Sequence, residues 1–110
     1  MSFRRSKQQA DSVRAWREFI QSHEQLLQAS GVPANIYQSR EMFDDLLMHG
    51  HIDHHEDPTR FSVGNLSQEQ QTLLTEIVAA YLQAGFSDPG IGGSMTKIGE
   101  DARHKVADFR

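Results

Sequence analysis

The sequence predicts a mainly α-helical fold: a small single domain of three to four helices, with a short β-hairpin or ordered loop between the second and third. Three observations support this. The 110-residue chain has the length of one domain. Apolar residues recur at helical spacing in separate segments. Between two of these segments, residues 51–66 lose that spacing and contain turn-forming residues at 56–59.

The first helix is predicted at residues 11–29, where one face is apolar. Its stripe consists of Val13, Trp16, Phe19, Ile20, His23, Leu26 and Leu27. Gly31 is suited to a left-handed C-terminal position, and Pro33 prevents the helix from continuing. Because proline is also common in a first helical turn, a short turn is predicted at 33–38.

Two further helices are predicted at 39–49 and 68–84. Ser39 begins the former and Gly50 ends it, while Ser67 and Gln70 form the pattern of a capping box for the latter. The apolar residues of 68–84 cover about half of the circumference, which is more than one packed face requires. They are Leu73, Leu74, Ile77, Val78, Tyr81 and Leu82.

The remaining segments complete the predicted organisation of one domain over 1–110. Residues 1–9 form a flexible arm, 10–86 a helical core, 87–94 a flexible Gly-rich connector and 95–110 a terminal helix or tail. The terminal helix has one narrow apolar stripe, consisting of Met95, Ile98, Ala102, Val106 and Phe109. It is expected to pack either on its own domain or on another chain.

Composition limits the classes of function. The chain has no cysteine, which excludes disulfides, thiolate metal sites and cysteine nucleophiles. No apolar run approaches the ~18 residues of a membrane span, so we expect no membrane partner and a cytoplasmic location. The net charge is −4, and residues 41–57 carry six acids without a lysine or arginine, whereas residues 1–20 are basic. This acidity argues against a nucleic-acid partner.

A histidine cluster at 49–55 is the most conspicuous group of potential ligands. On an extended strand, His51, Asp53 and His55 would lie on one face, where they could bind Zn, Ni or Fe(II). Three ligands in a row do not surround an ion, so the alternative is a solvated polar turn. A transition-metal-binding or pH-responsive protein that uses the cluster from His49 to His55 is therefore one alternative function.

The order of helices and hairpin resembles that of a winged helix-turn-helix protein with a C-terminal dimerisation helix. That resemblance implies a DNA-binding regulator, the other alternative function. The recognition helix would begin at 39–45, a segment with three acids and one base. Phosphates repel such a segment, so DNA binding through this surface is not expected.

The main expectation is a non-enzymatic protein–protein interaction module. No catalytic constellation is evident, such as a serine within a G-x-S-x-G motif, and no cofactor is expected. The protein partner is unidentified, and a homodimer is expected, with residues 95–109 contributing to it. The predicted interaction residues are Asp44, Asp45, Tyr81, Ile98, Val106 and Phe109.

Overall fold

The fold is known from a computed structural model, which describes residues 13–53, 60–86 and 90–108. Within these ranges, six α-helices accompany one two-stranded antiparallel hairpin. The predicted mainly helical domain with a hairpin is confirmed, but the predicted three to four helices are too few. The predicted arm at 1–9 lies outside the described residues.

The elements follow one another closely along the chain. They are α1 (13–22), α2 (Glu24–Ser30), α3 (Ala34–Tyr37), α4 (Arg40–His49), β1 (His51–Asp53), β2 (Arg60–Ser62), α5 (Gln68–Ala84) and α6 (Thr96–Asp108). Short 3₁₀ turns at Val63–Asn65 and Gly93–Met95 lead towards α5 and α6 respectively.

The first predicted helix is divided into α1 and α2 at His23. Nδ1 of this residue lies 2.8 Å from the carbonyl oxygen of Phe19. The His23 amide donates to that same oxygen at 3.1 Å and to the Ile20 oxygen at 3.2 Å. The helical bond of the His23 amide is thus retained, and the break lies in the backbone torsion angles of this residue, φ −119° and ψ 16°, which apolar periodicity does not reveal.

A second additional helix, α3, forms where only a short turn was predicted after Pro33. It is separate from α4 because Ser39 takes an extended conformation, with φ −106° and ψ 118°, and its side chain accepts a hydrogen bond from the Met42 amide. The predicted start of α5 is confirmed. The Ser67 amide donates to Gln70 Oε1 at 2.9 Å, and the Gln70 amide donates to Ser67 Oγ at 3.1 Å.

Helix α5 is central, and its wide apolar face contacts several neighbours, including Trp16 of α1 and Phe43 of α4 through Tyr81. It packs against α2 and against α6. Met95, Ile98 and Ala102 are buried in this chain's own core, and Val106 is half-buried. The terminal helix therefore packs on its own domain in this structure. Phe109 lies outside the described residues.

The Gly-rich segment is packed where the structure describes it. The Gly92 amide donates to the Leu47 carbonyl oxygen at 3.2 Å. Gly93 has φ +57°, and a Cβ atom there would lie 2.1 Å from the His49 carbonyl oxygen. Gly99 of α6 lies against Ile91, which leaves no room for a Cβ atom. Residues 90–94 thus form a close backbone contact with the end of α4 instead of a free spacer, and 87–89 lie outside the described residues.

The hairpin follows α4 directly. Its register pairs His51 with Ser62, Ile52 with Phe61, and Asp53 with Arg60. Ile52 is buried, while His51 and Asp53 are exposed, as expected for alternating faces of a strand. In the described ranges, none of the helices combines the length and apolar character needed to span a membrane.

Candidate functional site

Four polar side chains lie close together where α4 ends and β1 begins. Asp45 and His49 are one turn apart on α4, and His51 and Asp53 follow on the exposed face of β1. Together with Ile52 they line one shallow depression. We call Asp45, His49 and His51 the histidine end, because Asp53 is engaged elsewhere.

The two imidazoles of the histidine end are neighbours. Their ring centroids are 6.3 Å apart. Nδ1 of His51 lies 3.2 Å from the carbonyl oxygen of His49. A carbonyl oxygen only accepts, so this contact is a hydrogen bond when Nδ1 carries the proton. In the neutral ring, Nε2 of His51 then holds the lone pair.

Of the predicted metal ligands His51, Asp53 and His55, the structure describes the first two. His51 and Asp53 share one exposed face, as predicted. However, Asp53 Oδ1 lies 3.2 Å from Nε of Arg60 on the adjacent strand, so this carboxylate pairs across the hairpin. His55 lies outside the described residues. In the part of the chain that is described, no group of three or more histidine or acidic side chains is arranged to hold a metal ion.

The opposite half of α4 contacts a cluster of aromatic rings. The ring centroid of Trp16 lies 5.3 to 6.0 Å from those of its four neighbours. We call this cluster the aromatic end. It consists of Trp16, Phe19, Phe43, Tyr81 and Phe86. The prediction that Trp16 is a core residue is confirmed, since it is 5% exposed.

Polar groups border the aromatic end and are bonded within the chain. The Tyr81 hydroxyl donates to the Asp44 carboxylate. The Arg40 guanidinium donates to the Phe86 carbonyl oxygen and lies 5.4 Å from the centroid of the Phe86 ring. Trp16 Nε1 is buried and has no hydrogen-bond acceptor among the described residues.

The predicted interaction residues do not share a surface. Tyr81 and Ile98 are 0% and 3% exposed, because Tyr81 packs within the aromatic end and α6, which carries Ile98, packs against α5. Asp44 bonds to Tyr81, Val106 is half-buried, and Asp45 alone of those described is exposed.

Two exposed apolar side chains were not predicted to be exposed, and one of them, Val13, was assigned to the apolar stripe of the first helix. They are Val13 and Met48, at 56% and 43% exposure, and both belong to helices whose other large apolar residues are at least partly buried. Periodicity could have singled out Met48, because it lies off the stripe formed by Met42, Phe43, Leu46 and Leu47. Searches with this chain found no matching family model, no similar curated protein and no similar solved structure.

Proposed function

We propose that this chain is a non-enzymatic protein–protein interaction module and that a second copy of the chain is its partner. One observation carries the proposal. Of the large apolar side chains exposed in the described ranges, Val13 has the exposed Arg14 and Arg17 on its helix, whereas Met48 has the exposed Glu41 and Asp45. Each therefore presents an apolar contact within a charged rim that complements the other.

The acidic face is formed by Glu41, Asp45 and Met48. All three are exposed and follow one another at i, i+4 and i+7, so they lie on the same side of α4. No lysine or arginine interrupts the sequence from residue 41 to residue 53. A flexible, exposed methionine adapts readily to the shape of a partner.

The basic face is formed by Val13, Arg14 and Arg17. These residues are exposed on α1, and the arginines have long side chains that can reach carboxylates across an interface. In a two-fold symmetric dimer, the basic face of each copy meets the acidic face of the other, so the contact occurs twice. An acidic face that met its own copy would be repelled.

This arrangement replaces the dimer expected through residues 95–109. The apolar stripe of α6 is already covered by α5 of the same chain, with Met95, Ile98 and Ala102 buried. A dimer through α6 would require the two chains to exchange this helix. The two charged faces are available without any such rearrangement.

Light scattering at about 100 µM protein tests the proposal, since interfaces of this modest kind bind in the micromolar range. We expect a dimer at low ionic strength that weakens as salt screens the charges. Asp45→Arg or Arg17→Glu alone should disrupt it, and the double variant should restore it. Glu76→Arg, which changes an exposed acid on α5, is the matched control. A monomer at every salt concentration, or a dimer that ignores the charge reversals, would refute the proposal.

Nucleic acid is not among the proposed partners. The exposed side of α4 includes Glu41 and Asp45, so phosphates are repelled where a recognition helix would lie. Fluorescence anisotropy with random duplex DNA at ~150 mM salt should show only weak, non-specific binding. Nanomolar, sequence-specific binding would contradict the charge argument.

A further inference from the structure

We propose that His49 and His51 form a surface binding site for a divalent transition-metal ion such as Zn²⁺ or Ni²⁺, with the Asp45 carboxylate as a third ligand. This site shares Asp45 with the acidic face of the proposed dimer, but it does not require a second copy, because His49 and His51 lie outside the three residues of that face. It also differs from the ligand set expected from the sequence, because Asp53 and His55 have no part in it.

The hydrogen bond of His51 is the first argument. Histidines that bind metals commonly donate their other ring N–H to a carbonyl or carboxylate, which fixes the tautomer and the ring orientation. His51 has this arrangement: Nδ1 lies 3.2 Å from the His49 carbonyl oxygen. The lone pair of the neutral ring is then on Nε2, directed away from the backbone partner.

The separation of the two rings is the second argument. Two imidazoles that share one ion at nitrogen–metal distances of about 2.1 Å have ring centroids about 5 to 6 Å apart. The centroids of His49 and His51 are 6.3 Å apart, so a small side-chain rotation brings both to one ion. Both rings are exposed, which leaves this rotation free of steric hindrance from the core.

The backbone that carries the two rings is rigid, which is the third argument. Gly50, with φ +78°, ends α4 between the two histidines and lies directly against the Ser94 backbone. Gly93 packs equally closely on the His49 carbonyl group. A ligand pair held by packed backbone loses little conformational freedom when the ion binds.

Two carboxylates, those of Asp45 and Asp53, line the depression beside the two imidazoles. Asp45 lies four residues before His49, on the same side of α4, and is exposed. Asp53 lines the same depression, but its carboxylate is paired with Arg60. The described part of the chain lacks a preformed three-ligand group, so Asp45 must turn towards the ion and water completes the coordination. We therefore expect micromolar affinity instead of the nanomolar affinity of a closed four-ligand site.

Isothermal titration calorimetry of the full chain with Ni²⁺ and with Zn²⁺ tests the site. His49→Ala and His51→Ala should each weaken binding about tenfold or more, and Asp45→Asn should weaken it less. His104→Ala is the control, because His104 is exposed on α6 and does not line this depression. This variant should bind as the unmodified chain does.

Histidine NMR spectra provide a readout that does not depend on affinity. Binding of Zn²⁺ should shift the signals of the His51 ring as expected for coordination through Nε2, with Nδ1 still protonated. The proposal is overturned if either His49→Ala or His51→Ala leaves the affinity within about twofold of the original. It is also overturned if His54→Ala or His55→Ala abolishes binding while the His49–His51 pair proves dispensable, or if Nδ1 of His51 is the coordinating atom.

Discussion

The two halves of α4 belong to regions of opposite character. At its first half, Phe43 packs into the aromatic end. Asp44 is bonded to Tyr81 of α5, and Arg40 is bonded to Phe86, two residues after the end of α5. At its last turn, His49 faces solvent beside His51. Polar groups near the aromatic end thus form hydrogen bonds within the fold, whereas the side chains of the histidine end are exposed to solvent and accessible to a ligand. One helix can therefore carry stability and a candidate site, provided that they lie at different ends.

The largest effect is expected from emptying the aromatic end. Trp16→Ala removes a ring that contacts Phe19, Phe43, Tyr81 and Phe86 and should lower the free energy of unfolding by about 3–5 kcal/mol. Thermal and urea unfolding measure this loss. Val13→Ala is the control, because that side chain is 56% exposed and should change stability by less than about 0.5 kcal/mol. Equal effects of the two substitutions would show that the aromatic end is not the stable region.

A smaller loss is expected where the Gly-rich segment packs on the histidine end. Gly93→Ala would place Cβ 2.1 Å from the His49 carbonyl oxygen and force alanine into a left-handed conformation. We expect a loss of about 2–4 kcal/mol. Gly90→Ala is the control, since nothing lies within 4 Å of its Cβ position. If urea unfolding finds both variants equally stable, the backbone contact between 90–94 and α4 does not hold.

A smaller effect still is expected from removing the hydrogen bond between Tyr81 and Asp44 at the aromatic end. Tyr81→Phe deletes the hydroxyl that donates to Asp44. The free energy of unfolding should fall by about 1–2 kcal/mol, because the half-buried Asp44 carboxylate loses a hydrogen-bond donor. Asp45→Asn, one residue further along α4 and exposed, serves as the reference. A Tyr81→Phe variant as stable as the parent would place this hydrogen bond outside the elements that stabilise the fold.

The smallest effect is expected at the hairpin. Asp53 and Arg60 have side-chain exposures of 51% and 76%, and ion pairs as exposed as this one contribute little. Asp53→Asn should therefore change the free energy of unfolding by no more than about 0.5 kcal/mol, and raised salt should leave that difference small. A loss above 1 kcal/mol in urea titrations would mean that the hairpin is more tightly coupled to the core than its exposure indicates.

The main helices and several of their ends could be predicted from the sequence, because helix formation and capping depend on residues that are close together in the chain. Ser67 and Gln70 cap α5 through atoms three residues apart, and Gly50 ends α4 by adopting a left-handed conformation. The break at His23 could not be predicted in this way, because the backbone departs from helical torsion angles there without any change in the apolar pattern. The packing of the glycines at 90–94 could not be predicted either, since composition does not reveal which backbone they approach.

What the sequence determined by itself was the mainly helical character and the burial of Trp16, since periodicity encodes which face of each element is apolar. At 51–66 it left a hairpin or an ordered loop open, and the structure has the hairpin. Only the tertiary structure decided which of those faces meet. It placed α6 on α5, which turned Tyr81 and Ile98 from expected contact residues into core residues. It also paired Asp53 with Arg60 and placed the exposed rings of His49 and His51 beside each other. The physical reason is that local periodicity specifies an apolar face, whereas the partner of that face is set by contacts between residues far apart in the chain.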